Sequence, residues 1–211
     1  MDKRLVITIA REFGSGGHEI GLGLASALGI AFYDKEILIK AAQKNGIMEE
    51  LFENADEKPT NSFLYSLSLG ATPLRSASFS DYSDYLTNDK LFLMQSEVIR
   101  DIADKESCVM IGRCSDYILR GHKGLFTVYI HAPIEIRTQR IARLQNISED
   151  AARSLIKKTD KNRANYYSFY SDCEWGAANN YDLSIDSSRF GVDAAVEMIQ
   201  NASKHFAEEM Q

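Results

Sequence analysis

The sequence predicts an α/β protein, a three-layer α/β/α fold around a mainly parallel five-stranded sheet. Short apolar runs alternate with longer segments of helical periodicity, the pattern of parallel strands joined by crossover helices. The first run, RLVITIA at 4–10, is apolar and β-branched almost throughout, as in a strand buried on both faces. It leads directly into a glycine cluster, Gly14, Gly16 and Gly17, and from there into a helix.

The elements follow in order. Ile20, Leu24, Ala25 and Leu28 recur at helical spacing, and Gly29 is placed to stop that helix. Residues 30–33, IAFY, read as a second strand ending at Asp34, and 35–53 as helix. The segment 56–88 changes character: it is rich in Ser and Tyr, holds two of the three prolines and lacks sustained periodicity. It reads as a flexible insertion, as a lid folding over a ligand, or as a surface excursion without function. Its Phe and Tyr content argues against complete disorder. Helical spacing returns at 89–104. Residues 108–111 form a third strand ending in Gly112–Arg113, and 125–131 a fourth. Pro133 opens a long charged helical region, with Ser148 and Asp150 placed to cap a break near 147–150. Residues 182–186, DLSID, make a fifth strand and 191–208 a terminal helix.

Composition bounds the function. The 211 residues suit a single domain over 1–211. A formal net charge of −6 gives no support to a nucleic-acid binder, which carries a basic surface, but it permits a local basic pocket. The three cysteines, Cys108, Cys114 and Cys173, are odd in number and lack CxxC spacing. That argues against a disulfide framework or zinc site and for a reducing, cytoplasmic setting. The first residues, MDKRLVITIA, are too short an apolar run for a signal peptide, and no run reaches the roughly 18 residues of a membrane span.

The glycine cluster carries the first chemical signal. Parallel sheets bind ligands at the carboxyl ends of their strands. A glycine loop there, opening a helix, offers free backbone N–H groups and the positive end of a helix dipole to an anion. A tight turn that binds nothing is the plain alternative. Three glycines in four positions after a first strand favour phosphate.

The stretch ITIAREFGSGGHEIGLGLASALGIAFYD resembles the cytidylate kinase family, and especially its cytidylate-kinase-like branch, in which a REFGSGG-type loop replaces the usual P-loop. The resemblance extends through the Gly112–Arg113 strand end, the arginine-rich helices and YDLSID, and covers most of the chain except 56–90. A Walker A loop reads GxxxxGK followed by Ser or Thr, its lysine on the β/γ-phosphates and its hydroxyl on Mg²⁺. Here Arg11 stands at the first glycine, Gly17 at the lysine, and His18 and Glu19 follow. The resemblance implies that Arg11, Gly14, Ser15, Gly16, Gly17 and His18 bind donor phosphates. Glu19 either holds a metal or favours the helix N-terminus by its charge.

For the acceptor, the resemblance implies Asp34, Lys40, Arg113 and Asp160. Lys40 stands where the family has an arginine, and reads equally as a solvated helix charge. Arg113 follows a buried strand end and is suited to grip phosphate oxygens with its planar fork. The family's aspartate after this arginine is replaced by Cys114, with Asp116 nearby. Cys114 itself reads as a buried small hydrophobe rather than a nucleophile. Residues 137–163 carry eight basic side chains, among them Arg137, Arg140 and Arg163. The resemblance makes 137–165 a lid-like region and 35–105 an acceptor-binding insertion, with Arg113, Arg140 and Arg163 catalytic. Thr159 stands where the family usually has another arginine. Tyr166, Tyr167 and Trp175 read as core or dimer-contact aromatics, which leaves a homodimer open.

The function expected is ATP-dependent, Mg²⁺-assisted phosphoryl transfer to a small phosphorylated acceptor, most plausibly a pyrimidine nucleoside monophosphate. The absent lysine keeps two alternatives open: a nucleotide-binding regulatory module without catalysis, and a P-loop kinase for a different small acceptor.

Overall fold

The computed structural model describes residues 4–34, Ile37 and 79–209, with 79–88 described by backbone alone. Apart from Ile37, the expected helix at 35–53, the acceptor candidate Lys40 and most of 56–88 lie outside the described residues.

The five expected strands are present: β1 (Val6–Arg11), β2 (Ala31–Tyr33), β3 (Cys108–Ile111), β4 (Leu125–His131) and β5 (Leu183–Asp186). They form one sheet in the order β2-β3-β1-β4-β5, and every pairing is parallel. The helices are α1 (Gly17–Leu28), α2 (Phe79–Ala103), α3 (Ser115–Ile118), α4 (Ile134–Gln145), α5 (Glu149–Ser171) and α6 (Ser187–Glu209).

Strand alternation sorts the core into two layers, as the pleat requires. Ile7, Ile9, Val109, Ile111, Val128 and Ile130 face one side and pack with Ile20 and Leu24 of α1 and Ala195 and Ile199 of α6. Val6, Cys108 and Met110 face the other, against Val98, Ile99 and Ile102 of α2 and Tyr167 of α5. Helices therefore cover both faces, which gives the three layers. The aromatics join this packing: Tyr167 is buried, and Tyr166 and Trp175 pack against the same cluster.

Two boundaries differ from expectation and one agrees with it. Helix α2 begins at Phe79, well before residue 89. Its first turns, FSDYSDYLTN, place Phe79, Tyr82 and Leu86 at helical spacing, but the Ser, Asp, Thr and Asn between them favour turns and caps, so the stretch reads as irregular. The helical region after Pro133 breaks where expected: Asn146 ends α4 in a left-handed conformation, and the Ser148 hydroxyl accepts from the Ala151 N–H at 3.2 Å. The terminal helix begins at Ser187 but carries a non-helical Gly191 (φ 76°), so the expected start at 191 coincides with a kink.

Strand order places the site. The chain passes from β1 to the β2 edge on one side, and later from β3 to β4 on the other. The carboxyl ends of β1 and β3 thus flank the crevice at which such sheets bind ligands. Ile9 pairs with Ile111, so Arg11 and Arg113, each two residues further on, leave neighbouring strand ends together.

Candidate phosphate-binding cleft

The loop between β1 and α1 is built by two glycine conformations. Ser15 N–H donates to the Glu12 carbonyl at 3.2 Å, closing a turn whose third residue, Gly14, has φ 84°. Gly16, also at φ 84°, is the N-cap of α1. An L side chain is strained at such angles. The first intrahelical bond runs from Ile20 N–H to the Gly16 carbonyl at 3.0 Å. The N–H groups of Gly17, His18 and Glu19 precede it and form the positive end of the helix. Of the loop donors, Ser15 is already engaged, and its hydroxyl also caps the Glu12 carbonyl at 2.9 Å.

A buried brace shapes this loop. Glu12 accepts from Ala132 N–H at 3.0 Å and pairs with the Arg137 Nε at 3.3 Å. Arg137 also donates to the carbonyls of Ala132 (2.8 Å) and Phe13 (3.1 Å) and pairs with Asp160 at 2.5 Å. Asp160 accepts from Phe13 N–H at 2.8 Å through its other oxygen. Arg163, one turn further along α5, donates to the Arg11 carbonyl at 3.1 Å, and its guanidinium lies 5.7 Å from the centre of the Phe13 ring. Residues of α4 and α5 thus hold the loop backbone at Arg11 and Phe13, and the Glu12 side chain between them. The brace satisfies both carboxylates and leaves the buried Arg137 charge paired on two sides, as a buried ion requires.

The expected site residues separate into two groups. Arg11, Gly14, Gly16, Gly17, His18, Glu19, Asp34, Arg113, Arg140 and Arg163 all line one cleft of about 290 Å³. Ser15 is buried with its N–H and hydroxyl on the Glu12 carbonyl, and Asp160 lies behind the loop with both oxygens on Arg137 and Phe13. Within the cleft some side chains are turned to one another. His18 lies 3.5 Å from Asp34 and edge-on to Phe32. Glu19 forms an ion pair with Arg140. Glu12 and the positioning role of Arg137 were not among the expected site residues. Both occur in charged stretches whose partners are distant in sequence, so no local signal marks them.

Arg113 is buried, and it sits in an unusual backbone. Gly112, Arg113 and Cys114 are all left-handed, at φ 65°, 62° and 53°. Such angles are costly for residues with a Cβ and gather at functional sites. The turn is held by Ser115, whose N–H and hydroxyl both donate to the Gly112 carbonyl, at 3.0 and 2.7 Å. Gln95 of α2 donates to the Arg113 carbonyl at 3.4 Å and to the Tyr166 hydroxyl at 2.9 Å. Beside it is a small, partly open cavity of about 20 Å³ lined in part by Arg113, Asp116, Arg163 and Tyr167. Burial pushes the Asp116 carboxyl above its ordinary 3.8, opposed by the Tyr167 hydroxyl, which donates to it at 2.7 Å, by backbone N–H groups and by Arg120.

Among the described residues no group of three or more His, Cys, Asp or Glu side chains could hold a metal ion. The cleft carboxylates of Glu12, Glu19 and Asp34 each face a basic side chain instead. Among the same residues no helix is long and apolar enough to cross a membrane.

Comparison with known proteins agrees with this architecture. Residues 6–189 match the cytidylate kinase-like family. A cytidylate kinase from Natronomonas pharaonis is 24% identical over 204 residues, 96% of this chain and 91% of that protein. A cytidylate kinase from Methanocaldococcus jannaschii is 29% identical over 105 residues, 48% of this chain and 58% of that relative's length. A solved structure of an uncharacterized protein from Eubacterium ventriosum superimposes with a TM-score of 0.71 at 27% identity, over 95% of this chain and 99% of that one. Shikimate kinase from Bacteroides thetaiotaomicron shares the fold at a TM-score of 0.55 and 14% identity, over 95% and 98% of the two chains. With a lysine-less glycine loop at the carboxyl end of β1, arginines converging on it and a family match across nearly its whole length, this chain belongs to the cytidylate kinase-like family.

Proposed function

We propose that this chain transfers the γ-phosphoryl group of ATP to a small phosphorylated acceptor, with a pyrimidine nucleoside monophosphate as the favoured one. The observation that carries the reading is convergence. Four arginines, Arg11, Arg113, Arg140 and Arg163, line the same cleft as the glycine loop and the N-terminus of α1. The loop and helix end suit the donor phosphates. Arg113 and Asp34, at the ends of β3 and β2, suit the acceptor side. An acceptor phosphate oxygen would attack the γ-phosphorus as the bond to the β-phosphate oxygen breaks, releasing ADP. Charge on the transferring group is neutralised by the surrounding guanidinium groups. Such reactions depend on positioning and electrostatics more than on a strong base. Mg²⁺ enters as part of the MgATP substrate, held largely by the phosphate oxygens.

The test is phosphoryl transfer from ATP to CMP, dCMP and UMP, alongside other small acceptors. Arg113→Ala should lower turnover about 100-fold, the scale of one lost transition-state stabiliser. Arg113→Lys should recover part of it, since an ammonium cannot reproduce the bidentate fork. Turnover indifferent to Arg113→Ala removes this site assignment. The missing lysine favours a second reading, a nucleotide-binding module without catalysis. Clear nucleotide binding by calorimetry with no transfer to any acceptor selects it.

A further inference from the structure

We propose that Glu19 is an internal counter-anion for Arg140, displaced when donor polyphosphate binds, and that Arg140 supplies from α4 the charge the loop lacks at position 17. This rests on reading the cleft as the donor site.

The first observation is steric. A Cβ at Gly17 would lie 2.6 Å from the Arg11 Cβ and 3.0 Å from its Cγ. Neither atom is the far end of a flexible side chain, so Arg11 cannot simply swing aside. Packing at the β1 end therefore excludes a lysine at position 17, and a cation has to come from elsewhere.

The second observation is where a cation does arrive. The Arg140 guanidinium nitrogens lie 3.3 Å from where a Gly16 Cβ would be, over the junction of loop and helix. Arg140 projects there from the middle of α4, with its side chain 25% exposed. It reaches the anion-binding end of α1 from outside, where Gly16 leaves room for the fork.

The third observation is the partner. Glu19 is the acidic residue in the first turn of α1, and its carboxylate pairs with Arg140. A carboxylate between a helix N-terminus and an arginine fork uses the two elements a phosphate would use. The other cleft carboxylates are directed elsewhere, Glu12 to Arg137 and Asp34 to His18. Glu19 is more than half exposed, and ion pairs of this kind are weak. A polyphosphate carrying several charges can exchange with it readily, whereas a singly charged anion gains little by doing so. Glu19 thereby favours polyphosphates over lesser anions and keeps Arg140 placed until one arrives. This role is incompatible with Glu19 as a metal ligand.

The experiment is a double-mutant cycle on the full chain, with calorimetric binding of tripolyphosphate and of ATP, each with and without Mg²⁺. Glu19→Gln should tighten tripolyphosphate binding roughly two- to fivefold, the scale of a half-exposed ion pair. Arg140→Ala should weaken it, and Arg140→Lys should weaken it less. Adding Glu19→Gln to Arg140→Ala should give no gain, because the counter-anion then has nothing to release. A gain that persists without Arg140 would mean a general charge effect and overturn the proposal. So would unchanged or weaker binding by Glu19→Gln, or a Mg²⁺ enhancement lost with Glu19. A wild-type chain that shows the coupled binding but transfers no phosphoryl group leaves the exchange standing and removes the kinase reading. Normal turnover with binding insensitive to Glu19→Gln does the reverse.

Discussion

Asp116 is a carboxyl group held where its charge is unwelcome. It is 9% exposed, and its bond from Tyr167 only partly offsets the loss of water. Its folded-state value is raised, so the folded chain keeps this proton after the unfolded chain has released it. The stabilising contribution is complete below the ordinary 3.8 and is lost as pH rises through the raised value. Asp116→Asn keeps an acceptor for the Tyr167 hydroxyl but cannot ionise. Urea unfolding of the two proteins between pH 4 and 7 should show the wild type losing stability relative to Asp116→Asn as pH rises. A difference that stays flat with pH would contradict the raised value. The left-handed run from Gly112 to Cys114 belongs to the same scale. Three residues in that conformation turn the chain so that Arg113 lines both the small cavity beside this carboxyl and the ligand cleft.

At the scale of elements, the loop depends on α4 and α5 for its shape. Arg137 and Asp160 connect the two helices to each other and to the backbone of Phe13. Asp160→Ala leaves the buried Arg137 with Glu12 as its remaining carboxylate and removes the acceptor of the Phe13 N–H. Breaking a buried pair in this way costs about 3–5 kcal/mol, read as a drop in the urea midpoint. Asp160→Asn keeps the Phe13 bond and should cost less. Amide exchange at Phe13 and Gly14 should rise in Asp160→Ala. A loss below about 1 kcal/mol, the scale of an ordinary surface pair, would mean the loop is held by other contacts. The same brace bears on any lid motion of 137–165. Arg137, Asp160 and Arg163 fasten the region to the loop, whereas the turn between α4 and α5 is exposed from Gln145 to Asp150, so closure would be concentrated at that outer turn.

For the whole molecule, a ligand in the cleft touches β1, α1, β3, α4 and α5 at once. Binding to the folded state alone stabilises it by RT ln(1 + [L]/Kd), about 2.7 kcal/mol at a hundredfold excess over Kd. For a chain of this length that corresponds to a rise in Tm of roughly 5–10 °C. Tripolyphosphate or ATP at such an excess should give this shift and adenosine should not, since the loop, helix end and arginines recognise phosphate. Equal shifts from adenosine would place recognition away from the loop.

Local pattern in the sequence was enough for the strands, the helix after the glycine loop, the break at Ser148 and the placing of Arg113 at a strand end. Each depends on residues within one or two turns of each other, where periodicity and capping act. It was enough, too, to mark Gly17 as a missing lysine. It could not say why the lysine is missing or what replaces it. The exclusion comes from Arg11 packing across the start of α1, and the replacement charge from a residue 121 positions away from Glu19. The loop's brace is similarly remote, with Phe13 and Asp160 separated by 147 positions and Glu12 and Arg137 by 125. In sequence these are charges on helices, indistinguishable from solvated ones. Only the folding of α4 and α5 against the carboxyl end of β1 takes water from these groups and brings their partners to them, because the worth of an ion pair depends on distance and burial, which no local spacing encodes.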